Sequence, residues 1–483
     1  MKRLSKIVIV TIGMILCCTG CMYHDAQNSA VSEVVQTTQS DINEQGDNSN
    51  HQNSRSASEI SSRASQSIAS GSSDEPESSL HESSEPSETV SDDESSQPSQ
   101  TESSQESSKE VSKEVSQTPE KVPDESIVYE MNKKYFVKRL DDTSAMVFLQ
   151  MYDAVQNFEE SVTFNEIIAS DLLDSLMFLL NYDCPELIQL NGDYSPIYAD
   201  DSCKTVSGVG FTYNMDREEY REYTDELYVF FENLKADIGN ESDVEKEKYV
   251  YDMIFNTCVY DDTEKYSGTV YGTLINHIGR CEGISKSFLW CMRELDIECM
   301  CVSGTPKWET AALYSGHSWN IVKINGRYYQ LDLTIDNIRE TGNEDEKTYP
   351  NYGYFNVDDT FNDETHEVYG FYREFGLPEC KSDKANYHKM NGLYICADED
   401  IQERLTEIME NYFIDGKLDH ISVKFENPAG LNRANQYIND WIQEFVESQG
   451  IGTYDYDSTY DEICRTITIY AEAFEAEEQE IDD

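Results

Sequence analysis

Three residues that lie far apart along the chain have side chains suited to nucleophilic acyl chemistry: Cys281, His317 and Asp332. A free thiol has a pKa of about 8.5, so it is mostly protonated at neutral pH and is then a poor nucleophile. A neighbouring imidazolium and a helix N-terminus both lower that pKa by several units. Such chemistry therefore requires Cys281 to begin a helix and to lie beside an imidazole.

The residues after Cys281 predict a helix that begins near the thiol. Apolar side chains recur at steps of four, four and three, which places Ile284, Phe288, Met292 and Leu295 on one helix face. The backbone N–H of Cys281 would then lie at a helix start, where it can donate to a developing oxyanion. A lone cysteine in a helix is otherwise typically a small buried hydrophobe, so the reactive interpretation depends on the other two residues.

The segments HSWNIVKI (317–324) and RYYQLDLT (327–334) flank an Asn-Gly pair, the strongest short signal for a two-residue hairpin turn. With that turn, His317 and Asp332 project from the same face of the hairpin, one diagonal step apart. The diagonal spans about 7–8 Å between Cα atoms, which is within reach of an imidazole–carboxylate hydrogen bond. Cys281 would be the nucleophile, His317 the general base and then acid, and Asp332 the group that orients the ring.

Three short motifs in this order resemble the transglutaminase-like superfamily. Bacterial members show C-x-G, then H-x-W-N, then G-x-(W/Y)-Y-x-x-D-x-T. This chain has CEG at 281–283, HSWN at 317–320 and GRYYQLDLT at 326–334. The resemblance is dense from Glu245 to Asp336, and the whole of it covers roughly a third of the chain.

The resemblance implies an α+β fold with a papain-like core, in which Cys281, His317 and Asp332 form the catalytic triad. Ile284 and Ile335 stand where many members carry tyrosine and tryptophan. Neither difference touches the triad, but both would alter the fit of a substrate.

Other residues near the motifs have weaker claims to a catalytic role. His277 is a rival base, although no orienting acid lies at a fixed spacing from it. Tyr271 could donate to the oxyanion, and core packing is its alternative. Trp319 is expected to pack beside the triad, and Asn320 to point to the opposite face and to bond locally.

No cofactor or metal is predicted. The cysteines are scattered, with no zinc-type pairing of CxxC motifs outside the export segment. Cys299 and Cys301 share a strand face and are expected in the core. The acidic pair Asp358-Asp359 could bind calcium as in animal relatives, and a solvated turn is the plainer interpretation. Disulfides are possible, but their pairing is not readable from the sequence.

The chain divides into five predicted segments. Residues 1–21 resemble a lipoprotein signal peptide, and residues 22–126 are a Ser/Glu-rich linker predicted to be disordered. Residues 127–240 form a mainly helical N-terminal region, in which FNEIIASDLLDSLMFLLNYD is predicted as one helix. Residues 241–390 are the transglutaminase-like catalytic domain. Residues 391–483 repeat a helix–strand order and predict a small C-terminal α/β module.

The export segment ends in Cys18-Thr19-Gly20-Cys21, which resembles a bacterial lipobox although Cys18 replaces the usual leucine. The resemblance implies lipidation of Cys21 and attachment to the extracellular face of the bacterial cytoplasmic membrane, with ordinary cleavage and secretion as the alternative. The formal net charge of −58 argues against nucleic acid as a partner, because nucleic acids require a positive surface.

The sequence therefore predicts a surface-anchored cysteine acyl-transfer enzyme that acts on amide bonds of extracellular or cell-wall proteins and peptides. Proteolysis, deamidation and cross-linking share the triad, and hydrolysis is favoured slightly. A non-catalytic surface binding or scaffold lipoprotein with a degenerate transglutaminase-like fold is the main alternative. A wall-peptide hydrolase of another papain-like clan fits the HSWN and LDLT segments less well. The oligomeric state is not predicted.

Overall fold

The computed structural model describes residue 131 and residues 133–307, 316–336, 349–414, 420–449 and 453–475. The predicted signal peptide, the lipidation site at Cys21 and the linker of residues 22–126 lie outside the described residues. Within the described residues, no helix combines the length and the apolar character needed to cross a membrane.

Helices and strands alternate along the described chain. The helices are α1 Asp142–Gln156, α2 Ser170–Tyr182, α3 Arg217–Ile238, α4 Asp243–Thr257, α5 Val270–Leu274, α6 Cys281–Glu294, α7 Asp359–Thr365, α8 Gly370–Glu374, α9 Tyr387–Met390, α10 Ile401–Met409 and α11 Pro428–Gln449. The strands are β1 Ser161–Ala169, β2 Leu190–Tyr198, β3 Thr205–Tyr213, β4 Val259–Tyr260, β5 Ile278–Gly279, β6 Cys299–Pro306, β7 His317–Ile324, β8 Arg327–Leu331, β9 His366–Val368, β10 Tyr394–Ile395, β11 His420–Phe425, β12 Thr453–Asp461 and β13 Thr466–Glu475.

The strand order β8-β7-β6-β9 defines a four-stranded antiparallel sheet, here called the central sheet. Its β7–β8 hairpin turns at Asn325 and Gly326, whose φ angles of 51° and 76° are both positive, as a type I′ turn requires. Ile324 pairs with Arg327, which confirms the register predicted from the Asn-Gly turn. The sequence arithmetic that aligned the two halves of the hairpin is therefore correct.

Both faces of the central sheet are covered. On one face, Cys301 and Val322 pack with α3, α4 and α6 in one hydrophobic core. On the other face, Val302, Trp319 and Ile321 pack with α1, α2 and β3 in a second core. The N-terminal region and the predicted catalytic domain thus share a core, because alternate residues of β6 and β7 point to opposite faces.

The N-terminal region combines helices with the antiparallel sheet β1-β3-β2. The prediction that one helix spans FNEIIASDLLDSLMFLLNYD is wrong for its first part, because Phe164–Ala169 belongs to β1 and the helix begins at Ser170. Ile168 pairs with Val206 on β3, and pairing of β-branched residues outweighs a short helical periodicity. The strands β2 and β3 pair antiparallel, with Tyr194 opposite Phe211.

The C-terminal residues form the sheet β10-β11-β13-β12 with α10 and α11. The helix–strand–helix–strand order is confirmed, and β10 and β12 are additional strands. This module contacts the segments that follow β8: the Lys424 Nζ donates to the Gly353 carbonyl at 2.8 Å, and the Cys464 Sγ donates to the Asp336 Oδ1 at 3.5 Å.

Candidate active site

Cys281 is the first residue of α6, as the apolar spacing predicted. Arg280 before it has an extended backbone, with φ −97° and ψ 172°, so the helix begins at the thiol. Ile284, Phe288 and Met292 are at most 1% exposed and hold the helix in the core. The cysteine itself is only partly buried, so its sulfur lies at the edge of the core rather than within it.

The first turn of α6 rests on the backbone of Ser267. The Arg280 N–H donates to the Ser267 carbonyl oxygen at 2.9 Å. A Cβ atom on Gly283 would lie 2.1 Å from the same oxygen. The glycine of the C-x-G motif is therefore required by a close approach of two backbones, and this approach fixes where Cys281 stands.

Two hydrogen bonds fasten α6 to β7, one turn after Cys281. The Ser285 Oγ donates to the Ser318 carbonyl at 2.9 Å, and the Asn320 Nδ2 donates to the Ser285 carbonyl at 2.9 Å. Asn320 also donates to the Met300 carbonyl at 3.1 Å. The expectation that Asn320 bonds locally is wrong, because its amide reaches a helix and a neighbouring strand. These contacts hold Cys281 against the first residue of β7.

That first residue is His317, and its ring joins Asp332. The His317 Nε2 lies 2.5 Å from the Asp332 Oδ2, and the two side chains are 8% and 1% exposed. The second carboxylate oxygen accepts from the N–H groups of Thr334 at 3.0 Å and Ile335 at 3.2 Å. Burial alone would raise the pKa of Asp332, but the His317 charge outweighs it and holds that pKa below its usual range.

The His317 ring also hydrogen-bonds the Cys281 thiol. Because Nε2 is bound to Asp332, a hydrogen bond from this ring to the sulfur would use Nδ1. Burial alone would lower the pKa of His317, but the Asp332 carboxylate and the contact with Cys281 outweigh it and raise that pKa to about 10. The structure thus brings together all three residues predicted from the sequence, and it favours an imidazolium beside the sulfur at neutral pH.

A second histidine, His366, binds the same carboxylate oxygen and was not found from the sequence. Its Nε2 lies 3.0 Å from the Asp332 Oδ2, and its side chain is fully buried. His366 is the first residue of β9, which pairs with β6 at the end of the central sheet. The segment ETHEVYG carries no motif and no fixed spacing to the triad, so only the sheet order could have revealed this residue.

A charged cluster that the sequence did not predict holds the residue after the thiol. The Glu282 carboxylate binds Arg280 at 2.5 Å and Lys286 at 2.6 Å, and it accepts from the Asn181 Nδ2 at 2.9 Å. Burial alone would raise the pKa of Glu282, but the two cations outweigh it and lower that pKa to about 2. Asn181 is the penultimate residue of α2, so the N-terminal region contacts the start of α6.

The rival catalytic candidates lie elsewhere or have other partners. His277 is exposed, with a backbone φ of 60°. The Tyr271 hydroxyl donates to Glu226 at 3.1 Å, and its ring stacks on Tyr223 with 3.9 Å between centroids. Trp319 is 1% exposed and its Nε1 donates to a neighbouring side chain, in line with packing beside the triad.

The residues considered as alternatives for metal binding have structural roles. Cys299 and Cys301 are at most 2% exposed and belong to the core. Asp358 caps α7 by accepting from the Phe361 N–H at 2.9 Å, and Asp359 accepts from the Cys380 N–H at 2.7 Å. These contacts account for both carboxylates without a calcium ion.

One group of described residues has the atoms and spacing that a metal ion would use. It comprises His317, Asp332 and His366, whose ligand-type atoms lie within 4.8 Å of one another. Both imidazoles already hydrogen-bond the carboxylate, and the group is buried beside a thiol at a helix start.

Comparison with known proteins shows that the segment containing these residues is similar to a protein family. The model of the transglutaminase-like superfamily matches residues 232–333, which contain Cys281, His317 and Asp332. Residues 232–333 are therefore a transglutaminase-like segment, as the three motifs predicted. The match supports a cysteine enzyme of this kind. No curated protein matches this chain.

Two solved structures are similar over part of the chain. A transglutaminase crystal structure is 16% identical, covers 39% of this chain and 53% of its own, and has a TM-score of 0.22. A candidate cysteine protease from Cytophaga hutchinsonii is 12% identical, covers 36% of this chain and 67% of its own, and has a TM-score of 0.20. This chain therefore spans about half the length of that transglutaminase. At these scores neither structure supports an argument about residues or activity.

Proposed function

We propose that this protein is a transglutaminase-like cysteine enzyme that acts on amide bonds of peptides or proteins. One observation carries the proposal: a buried imidazole, His317, contacts both the Cys281 thiol and the Asp332 carboxylate, while the thiol is partly exposed. A thiol that only packed in the core would need neither an imidazole nor a carboxylate behind it.

The first half of the reaction forms a thioester. The Cys281 thiolate attacks the amide carbonyl carbon, a C–S bond forms, and the carbonyl π electrons move to oxygen. The N–H groups of the first turn of a helix have no intrahelical acceptor, so the N–H of Cys281 can donate to this oxyanion. The C–N bond then breaks, and the leaving nitrogen takes the proton from the Nδ1 of His317.

The second half restores the enzyme. Water, or another amine, approaches the thioester while His317 removes its proton and becomes an imidazolium again. The C–O or C–N bond forms, the C–S bond breaks, and Cys281 leaves as a thiolate. Asp332 keeps the ring oriented and stabilises its charge in both halves. The triad serves hydrolysis and amine transfer equally, and we favour hydrolysis.

The reaction type is tested with a tagged primary amine. The full-length protein is incubated with a mixture of cell-surface proteins and the amine, and the products are analysed by mass spectrometry. Hydrolysis of peptide bonds predicts new N-termini without amine incorporation, and deamidation predicts mass gains of one unit at glutamines. Amine incorporation would instead establish transfer. The absence of all three products in the wild type would contradict the proposed activity.

A test that needs no substrate separates the enzyme from a non-catalytic scaffold. Among the described cysteines, Cys203 and Cys396 are exposed and serve as reference thiols in the same molecule. An iodoacetamide probe at pH 6 should label Cys281 faster than both references, because only Cys281 has an imidazolium beside it. Labelling of Cys281 no faster than Cys203 would favour the scaffold alternative.

We also propose that lipid on Cys21 anchors the enzyme to the outer face of the cytoplasmic membrane. The supporting observation is the export segment followed by a linker of about a hundred residues. Replacement of Cys21 by Ser should move the protein from the membrane fraction to the medium. Retention of the Cys21→Ser protein in the membrane fraction would contradict lipid anchoring.

A further inference from the structure

Two imidazoles share one oxygen of the Asp332 carboxylate. The Oδ2 atom lies 2.5 Å from the His317 Nε2 and 3.0 Å from the His366 Nε2. The Oδ1 atom accepts from the backbone N–H groups of Thr334 and Ile335. A hydrogen bond from His366 therefore supplies the fourth donor to a carboxylate that is 1% exposed.

The surroundings of His366 fix which of its nitrogens carries the proton. An ionised carboxylate only accepts hydrogen bonds, so the Nε2 of His366 must carry a hydrogen. The Nδ1 lies 2.9 Å from the Thr365 Oγ1, whose hydroxyl also meets the hydroxyl of Tyr354. The single hydrogen of the threonine hydroxyl has two acceptors within reach, the Asn362 carbonyl at 3.3 Å and the nearer Nδ1. It can donate to Nδ1 while the hydroxyl oxygen accepts from Tyr354. This arrangement satisfies a neutral ring.

A second positive charge beside His317 would be unfavourable in this buried site. Burial lowers the pKa of His366 and the His317 charge acts in the same direction, whereas the Asp332 carboxylate and a backbone hydrogen bond at Asn362 oppose both without reversing them. Among the described residues, titratable groups that face the two rings include Asp332, Cys281 and Tyr354. Among these, Asp332 is the group that both rings bind, and it interacts with one charged and one neutral imidazole.

We propose that His366 is a positioning residue of the triad, a neutral hydrogen-bond donor that fixes the Asp332 carboxylate toward His317. The inference rests on the proposed function, because it assigns a role in the same triad. His366 acts through Asp332, which in turn orients His317.

The physical reason lies in the number of donors to the carboxylate. With four donors, the Asp332 carboxylate is held in one plane and its charge is compensated in a buried site. Without His366, three donors remain, and Oδ2 has only His317 to compensate its charge. The carboxylate then binds a proton more readily and supports the His317 charge less. Alkylation of the Cys281 sulfur, which depends on the imidazolium beside it, should therefore be slower in acidic solution.

The test compares three variants by the pH dependence of Cys281 alkylation in the full-length protein. His366→Leu removes the donor, whereas His366→Gln keeps an amide N–H that reaches toward Asp332. Thr365→Val removes the hydroxyl at Nδ1 without altering the histidine. Exposed Cys203 is the internal reference, iodoacetamide is the probe, and thermal melting verifies that each variant is folded.

We expect His366→Leu to alkylate about 10-fold more slowly at pH 6, with the acid limb of the profile moved upward by about one pH unit. His366→Gln should recover most of this loss, and Thr365→Val should shift the limb in the same direction by less.

Equal profiles for folded His366→Leu and wild type would overturn the inference, as would equal losses in the Leu and Gln variants. If His366→Leu does not fold, the test uses His366→Gln and Thr365→Val. In that case, a Thr365→Val profile whose acid limb lies at the wild-type pH would overturn the inference.

The outcome for the wild type separates this inference from the proposed function. A wild-type Cys281 that reacts no faster than Cys203 at any pH would refute the proposed enzyme itself. A fast wild type with unchanged variants would refute only the role of His366.

Discussion

Gly283 packs against the Ser267 carbonyl so closely that a Cβ atom on Gly283 would stand 2.1 Å from that oxygen. The same oxygen accepts from the N–H of Arg280, the residue before Cys281. The Ser267 carbonyl therefore contacts the backbone on both sides of the thiol, at Arg280 before it and at Gly283 after it. The position of the sulfur relative to His317 depends on these two backbone contacts.

Gly283→Ala should damage both stability and reactivity. The methyl group would force the first turn of α6 away from residue 267, at a cost of about 1–3 kcal/mol for an overpacked core site. The shift would also separate Cys281 from His317. We expect a lower melting temperature, measured by circular dichroism, and slower alkylation of Cys281 at pH 6.

Gly370→Ala is the matched control, because a Cβ atom on Gly370 would meet nothing within 4 Å. It should leave both measurements close to those of the wild type. Wild-type reactivity in a folded Gly283→Ala protein would show that the position of the thiol tolerates this displacement, contrary to the close packing described above.

Asn320→Ala should loosen the attachment of α6 to β7. The Asn320 amide donates to the Ser285 and Met300 carbonyls, and it is 1% exposed. Its loss leaves two buried acceptors without this donor, which costs roughly 1–3 kcal/mol for each unsatisfied group. We expect a reduced free energy of unfolding, measured by urea denaturation, together with slower turnover of whichever amide substrate is identified.

The exposed Asn391 offers a control for Asn320, because its side chain donates only to the Tyr387 carbonyl at the surface. Asn391→Ala should change the free energy of unfolding little. Equal losses in the two variants would mean that burial of the Asn320 hydrogen bonds contributes nothing measurable.

The proximity of Cys281, His317 and Asp332 was predictable from the sequence because it depends on one hairpin and one helix start. The Asn-Gly turn sets the register that aligns His317 with Asp332, and the apolar spacing places Cys281 at the head of α6. Each inference used a period of two or 3.6 residues within a short window. No knowledge of the rest of the fold was needed.

The parts that the sequence did not reveal depend on long-range packing. His366 reaches Asp332 because β9 pairs with β6, and Asn181 reaches Glu282 because α2 packs beside α6. Neither pairing has a local signature. The strand β1 was mistaken for helix for a related reason, since its partner β3 lies some forty residues further along the chain.

The stability of the fold should depend on pH through His317. Its pKa is raised from 6.5 to about 10: burial alone would lower it, and the Asp332 carboxylate outweighs burial. A raised pKa in the folded state contributes stability that is fully present below pH 6.5 and is lost as the pH rises through 10. The wild type should therefore melt above His317→Gln at pH 6, and the difference should shrink toward pH 10.

The difference between the two proteins is the quantity to measure, by thermal melting across that pH range. Burial lowers the pKa of Lys424 to about 8. Groups that do not contact His317, such as Lys424, titrate in both proteins, so their contributions cancel in the difference between the two melting temperatures. A gap that stays constant or widens with pH would contradict a charged His317 in the folded state.

Asp332 and Asp336 are four residues apart and almost fully buried, yet at neutral pH Asp332 is ionised and Asp336 is mostly protonated. Burial would raise both pKa values. The imidazolium of His317 reverses this for Asp332, whereas the pKa of Asp336 rises to about 8 despite donors from Tyr251 and Tyr354. Asp332→Asn removes a charge, so kcat/KM should fall by roughly 10³-fold to 10⁴-fold.

Asp336→Asn replaces a group that is already neutral by one of nearly the same shape, so turnover should stay close to that of the wild type. Comparing Asp332→Asn with Asp336→Asn therefore separates the effect of losing a charge from the effect of replacing a buried carboxyl group by an amide. Similar losses in both variants, with both proteins folded, would mean that the carboxylate charge at Asp332 is not what supports His317.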